Sequence, residues 1–242
     1  MKRIWTSAET HETTDGWQVL LDGKPIKKPS GTALLIPFPA LAEAIAAEWR
    51  GAGLDGGDIK PDDLPLTRMA TTAIDRVAKS YDEIIDQLIC YGLNDALCYR
   101  AETPASLAAL EQAQWQPWLN WAEKTYNIPL NTGFGITPVV QPPDTVEKFS
   151  AVLQSFDIYQ LTALGVAVPA MGSLVLGLAL ATGQLDAPTA FEISHVEEKF
   201  QVERWGTDEL AEERRLNILT DLHLCVGFIA LCDQKNSTDI KI

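Results

Sequence analysis

The chain has 242 residues, 46% of them hydrophobic and 21% charged, which excludes intrinsic disorder and allows one large or two modest domains. Thirty-three acidic residues against 19 basic ones give a net charge of −14, so phosphate backbones and anionic lipid repel it and nucleic-acid binding is not expected. The charge is uneven: residues 1–60 sum to −1 and residues 61–242 to −13, which marks two differently built parts.

Residues 1–60 read as a β-rich domain with one helix. Trp17–Leu21 has the residues of a strand, and Asp22-Gly23 offers the positive-φ pair of a tight hairpin. Lys24-Pro25-Ile26 starts the return strand, and Pro25 puts it at a sheet edge because it has no amide hydrogen to donate. Ala33–Ile36 predicts a further strand, closed by Pro37 and Pro39. From Ala40 to Arg50 the period changes to that of a helix, with Leu41, Ile45 and Trp49 on one side. The glycine-rich run Gly51–Pro61 marks the domain boundary.

Residues 61–242 read as an all-helical domain, with helices near 66–79, 81–91, 104–115, 117–126, 145–156, 159–168, 170–182, 188–205 and 208–232. Ser80 with Glu83, and Asp144 with Glu147, have capping-box spacing; Pro104 and Asp186 with Pro188 begin helices; Gly92, Gly183 and Gly206 end them. Ile158–Leu185 carries no charge and is long enough to cross a bilayer, but Gly165, Pro169, Gly172 and Gly177 interrupt it and its flanks are acidic. Two short buried helices meeting near Pro169 account for it, so no membrane insertion is expected. Trp115, Trp118 and Trp121 bracket Pro117 as core anchors.

Catalytic patterns do not emerge. No phosphate-cradling loop is present, Gly133-Phe134-Gly135 lacks the rest of a dinucleotide fingerprint, and His195-Val196-Glu197-Glu198 lacks the metalloprotease spacing. Cys90, Cys98, Cys225 and Cys232 lie in apolar runs without metal-ligand spacing, so neither metal nor cofactor is expected. Two polar clusters stand out instead. Arg68, Thr71, Thr72 and Asp75 share one helical face, with Arg68 and Asp75 offering opposite charges to a partner or to the β domain. Phe191, His195, Glu198, Val202 and Trp205 recur at helical spacing, while Ile193, Val196 and Phe200 form a second apolar face. Glu198 thus sits as an acidic specifier inside an apolar stripe suited to receiving another protein. The competing reading is a carboxylate-dependent hydrolase that uses Glu198, Asp75 and Arg68 around an interdomain active-site cleft.

Several stretches, taken in order, resemble one family. They are Gly16–Pro25, Ala46-Ala-Glu-Trp49, Pro65-Leu-Thr-Arg68 with Thr72–Val77, Tyr91-Gly92, Asp95, Leu97–Ala101, Trp115–Trp121, Gly172–Leu176, and Glu198-Lys-Phe-Gln201 with Trp205-Gly206. This set is similar to the assembly chaperones of the F-type ATP synthase catalytic head that act on its alpha subunit (the ATP12-type chaperones). Met69-Ala70-Thr71 and Leu93-Asn94 depart from the family's usual residues. The resemblance implies an α+β fold, with a small β-rich N-terminal domain before a larger multihelical one, no enzymatic activity and no cofactor. It implies the unassembled alpha subunit as partner, with Glu198, Gln201 and Trp205 as contact residues and Glu48-Trp49 as a second motif. Glu198, Gln201, Trp205, Trp49, Arg68 and Asp75 are the candidate partner-binding residues. The segment MKRIWTSAET has neither signal-peptide nor transit-peptide character. The expected location is therefore a bacterial cytoplasm, or the mitochondrial matrix for a processed eukaryotic form.

Overall fold

Between Ala8 and Pro25 the backbone makes an antiparallel meander of β1 (Ala8–Thr13), β2 (Gly16–Leu21) and β3 (Lys24–Pro25), in the order β1-β2-β3. The computed structural model describes residues 1–135, 137–206 and 209–233. Asp22 and Gly23 take φ of 46° and 79°, as the tight hairpin requires, and Leu21 pairs Lys24 across it. Pro25 lies on the edge strand. The Asp22 carboxylate accepts the amides of Thr6 and Ser7 at 2.8–3.1 Å, and these bonds hold its pKa down to about 2. The stretch Ala33–Ile36 is not a full strand: it contributes only the bridges Trp17↔Ile36 and Lys27↔Ala33. Pro37 has no amide to extend the ladder.

Helix α1 (Pro39–Gly51) packs on β1 and β2 through Leu41, Ala42, Ile45, Ala46 and Trp49. Its last carbonyls are satisfied by a side chain from far away in sequence: Arg3 Nη1 donates to the carbonyls of Arg50 and Ala52, both at 2.8 Å. Trp5 stacks at a tilt on Trp49, 5.0 Å between ring centres. Helix α2 (Pro65–Thr72) follows and continues into a π-helical turn, Ala73–Val77. These elements form one compact unit, Met1–Ser80, to which residues 227–233 also belong.

The second unit, Tyr81–Val226, contains α3 (Tyr81–Leu93), α4 (Ala105–Tyr126), α5 (Thr145–Leu153), α6 (Ile158–Met171), α7 (Leu174–Ala181), α8 (Ala187–Ser194), α9 (Val196–Trp205) and most of α10 (Glu209–Asp233). A two-residue parallel pair, β4 (Tyr99–Arg100) with β5 (Gly133–Phe134), is its only sheet among the described residues. The fold is α+β, a small N-terminal sheet followed by a larger helical part.

The uncharged stretch forms the core of this unit. Asp157 accepts the amides of Tyr159 and Gln160 at 2.8 Å and Gln160 answers at the Asp157 amide, a reciprocal cap worth about 1 kcal/mol. α6 runs through Pro169 and ends at Gly172, with φ of 65°, so the two buried helices meet at Gly172-Ser173 rather than at Pro169. Ser173 Oγ then caps α7 at the Leu176 amide, 3.1 Å. α7 buries every residue from Leu174 to Leu180.

α4 is likewise continuous through Pro117, where two helices were expected; Leu107, Glu111, Trp115, Leu119 and Ala122 form one inward stripe across that site. Pro117 is exposed, on the outer side of the helix. Trp115 is buried, whereas Trp118 and Trp121 are half-buried and make an edge-to-face series with Tyr126. The cap expected at Asp144 does not form: its carboxylate pairs with Lys148 at 2.9 Å instead. By length and composition alone α10 could cross a membrane; Leu222 and Cys225 on it are fully buried in protein, though most of the helix is not.

Candidate functional site

Asp186 starts α8 by accepting the Thr189 amide at 2.8 Å, and these bonds to Thr189 lower its pKa. α8 then buries Ala187, Ala190, Phe191 and Ile193. The chain was expected to stay helical to residue 205, yet it breaks at His195, whose φ of −110° and ψ of 23° leave the helix. The break is fixed by side-chain bonding. His195 Nδ1 lies 3.0 Å from the Phe191 carbonyl and 2.9 Å from Ser194 Oγ, and the imidazole stacks on Phe191 at 4.3 Å. A carbonyl only accepts, so Nδ1 carries the proton in that bond. Burial lowers the His195 pKa.

The stripe therefore belongs to two helices and changes character along its length. Phe191 and His195 are buried, Glu198 and Val202 are half-buried, and Trp205 is 77% exposed. Only Val196 of α9 is buried, so α9 is a surface helix. Phe200 lies under the Arg204 guanidinium at 4.2 Å. Gln201 is exposed, and Lys199 reaches back to Glu192 at 2.5 Å. Gly206 ends the helix with φ of 83°. On α10, Leu210 and Leu216 add two more large exposed apolar side chains, 79% and 64%. The Glu198 side chain keeps 30% of its surface, and its ion-pair contact among the described residues is His195 Nε2, at 3.9 Å. Glu198 therefore touches the buried imidazole on one side and keeps part of its surface open to solvent.

The other candidates lie in the first unit. Glu48 is half-buried and accepts the Leu66 amide at 2.7 Å, the Thr67 amide at 3.0 Å and the Thr67 hydroxyl at 2.6 Å. It thereby caps the N-terminus of α2 with a charge, although burial raises its pKa against the pull of those bonds. Trp49 is buried and donates from Nε1 to Thr67 Oγ1 at 2.9 Å. The Glu48-Trp49 motif is thus a clamp on α2. Arg68 pairs with Asp62. Asp75 pairs with Lys28 at 3.0 Å and accepts Ser30 Oγ at 3.3 Å, with Lys79 at 3.9 Å. That contact satisfies one of the two expectations for Asp75, that it meets the β domain. Hydrogen bonding from Lys28 lowers its pKa. Among the described residues no three His, Cys, Asp or Glu side chains are grouped as a metal site.

Sequence reasoning passed over Leu210 and Leu216, since a long helix with scattered leucines gives no sign of which are uncovered. It also passed over a buried carboxylate, Glu111, whose helical spacing with Leu107 and Trp115 was the available signal.

The model of the ATP12 chaperone protein family matches residues 2–123. The crystal structure of Atp12 from Paracoccus denitrificans superposes with a TM-score of 0.89 at 40% identity, over 95% of this chain and 97% of that one. The chain belongs to the ATP12 chaperone family. Mitochondrial atp12 of Schizosaccharomyces pombe is 28% identical over 223 residues, 88% of this chain and 76% of that protein. An Agrobacterium tumefaciens protein is also similar in structure, with a TM-score of 0.88 and 30% identity over 96% of this chain and 86% of its own. The ATP12 relatives therefore match both units, since the structural likeness spans nearly the whole chain where the family model stops within α4.

Proposed function

We propose that this chain is an ATP synthase assembly chaperone that holds the unassembled alpha subunit on α9 and the start of α10. Membership of the ATP12 family supports the assembly role. The observation that carries the binding surface is Trp205, 77% exposed, on the same helix as the partly exposed carboxylate of Glu198. A surface on which α9 exposes a tryptophan and α10 two leucines carries a cost in isolation and gains when an apolar surface covers it. Glu198 supplies the register: a cation of the client meets it, and a misplaced acidic surface is rejected. Gln201 lies one turn on and completes the polar edge. Trp49, Arg68 and Asp75 act within the first unit by fixing α2 and the π turn.

This reading needs no catalysis and no cofactor. It also explains more than the hydrolase does, because Arg68 and Asp75 are already committed to Asp62 and Lys28. The setting is wherever ATP synthase heads are put together, a bacterial cytoplasm or a mitochondrial matrix, in keeping with relatives of both kinds.

The test is co-expression of the tagged chain with the alpha subunit of its own organism. Soluble alpha in complex, released by the beta subunit, is the expected result. Glu198→Lys should abolish capture while circular dichroism and melting stay unchanged, since the site is half-exposed. Alpha that aggregates regardless, or a Lys variant that still captures it, overturns the reading.

A further inference from the structure

The break between α8 and α9 fixes which nitrogen of the buried His195 ring is left open. The Phe191 carbonyl accepts Ser194 Oγ at 2.9 Å and lies 3.0 Å from His195 Nδ1. A tautomer with Nδ1 bare would set its lone pair against that carbonyl oxygen, so the proton belongs on Nδ1. Stacking on Phe191 at 4.3 Å holds the ring in this orientation. Nε2 of the uncharged ring is then an acceptor, and it lies 3.9 Å from another acceptor, Glu198 Oε2. A charge-assisted N–H···O bond is about 2.7–2.9 Å long, so neither atom satisfies the other. Two acceptors at that spacing converge on a single donor group.

We propose that His195 Nε2 and Glu198 Oε2 form one cation-recognition site, in which a lysine or arginine side chain of the client donates to both atoms. This rests on the reading that Glu198 meets the client, and it adds His195 as the second acceptor. An ammonium or a guanidinium has hydrogens for both atoms at once, whereas a hydroxyl has only one to give. The client reaches the pair from the Glu198 side, since that side chain keeps 30% of its surface and His195 only 8%. Trp205 follows Glu198 by seven residues on α9, two turns or about 10 Å along the axis. The matching client surface is therefore a basic side chain with an apolar patch two helical turns away.

Such a site has a built-in competitor. A proton on Nε2 makes an imidazolium that donates to Glu198 itself and repels the client's cation. The charged groups bearing on the ring are Glu198 on α9 with Arg214 and Arg215 on α10. The Arg215 guanidinium lies over Phe191 at 5.6 Å, on the ring that His195 stacks against. Glu192 on α8 and Lys199 on α9 are taken up with each other at 2.5 Å. From α4, Trp115 reaches this region through Nε1, which donates to the Ile193 carbonyl at 2.8 Å. Burial lowers the ring's pKa from its ordinary 6.5, the Phe191 carbonyl and Glu198 pull it up, and the two arginines press it down again. The site is thus open to the client above the lowered value and closes as the pH falls through it.

Imidazole nitrogen NMR of the free chaperone reads the tautomer without any client, so its failure is distinct from that of the alpha-binding reading. A proton on Nδ1 and a bare Nε2 are expected above the titration midpoint of the ring; a proton on Nε2 overturns the site. Capture of the alpha subunit by wild type and by His195→Gln, which cannot protonate, is then followed from high pH to below that midpoint. The wild-type dissociation constant should rise roughly tenfold per pH unit below the midpoint, while that of the variant stays level. Calorimetry of wild-type capture in buffers of different ionisation enthalpy decides the matter even if the buried substitution unfolds the chaperone. At the midpoint about half a proton should leave per complex formed. Parallel pH profiles, or no proton release, mean that the pair holds only water, and overturn the site. A wild type that captures no alpha at any pH sinks the alpha-binding reading instead, and the tautomer still decides the acceptor pair.

Discussion

Glu48 shows how one side chain can serve the fold while reading as a binding residue. It takes three donors from Leu66 and Thr67, and Trp49 adds a fourth bond to the same threonine. Glu48→Ala leaves two α2 amides and a hydroxyl in search of partners, and should cost about 2–3 kcal/mol in urea unfolding. The sequence picked out Glu48-Trp49 as a motif but could not say whether it faces a partner or α2, because burial is a property of the packed chain. Asp95 carries a second prediction. It is fully buried and accepts the amides of Leu97 at 3.1 Å and Val175 at 3.0 Å, yet burial outweighs these bonds and lifts its pKa from 3.8 to about 6. A raised value means stability that is present at low pH and is lost as the pH rises through 6. Relative to Asp95→Asn, which cannot titrate, wild-type stability should fall by on the order of 3 kcal/mol between pH 4 and pH 7. Equilibrium unfolding of both proteins across that range checks it.

Helices were the most legible elements, and their ends the least. The periods of α1 and α3 are plain in the sequence because one face of each is apolar, whereas α6 shows as an uncharged run between its Asp157 cap and Gly172. β1 was missed, since Ala8-Glu-Thr-His-Glu-Thr13 buries only Ala8 and shows no alternation. The stop expected at Gly92 is a different device. Gly92 lies inside α3, where an added Cβ would come within 2.6 Å of the Phe149 ring and 2.9 Å of Leu174. A glycine that permits close packing and one that ends a helix look the same in sequence. Gly92→Ala should therefore destabilise by about 1–3 kcal/mol despite its better helix propensity, and thermal unfolding would show it. The break at His195 was hidden for a related reason. The stripe from Phe191 to Trp205 keeps a helical period across it, and only the bonds of His195 to Phe191 and Ser194 reveal the interruption.

For the whole molecule, the net charge of −14 and the exposed apolar end of α9 have to coexist. On the proposed reading, charge favours solubility of the free chaperone while Trp205, Leu210 and Leu216 stay available to a client. Stability and function then separate cleanly at Trp205. Its indole is 77% exposed, so Trp205→Ala removes little buried surface and should move the unfolding free energy by no more than about 0.5 kcal/mol. The same truncation deletes the largest apolar contact the surface can offer, and central aromatic anchors typically carry about 2 kcal/mol or more of binding. Capture of the alpha subunit should thus fall at least roughly tenfold at unchanged stability. Glu198→Gln should act differently, through charge. It should slow association at low salt and converge with wild type as salt is added, whereas the Trp205 defect persists at every ionic strength. Association kinetics of both variants over a salt series separate the two contributions, and a Trp205→Ala defect that disappears in high salt would mean that the apolar end of α9 is not where the client sits.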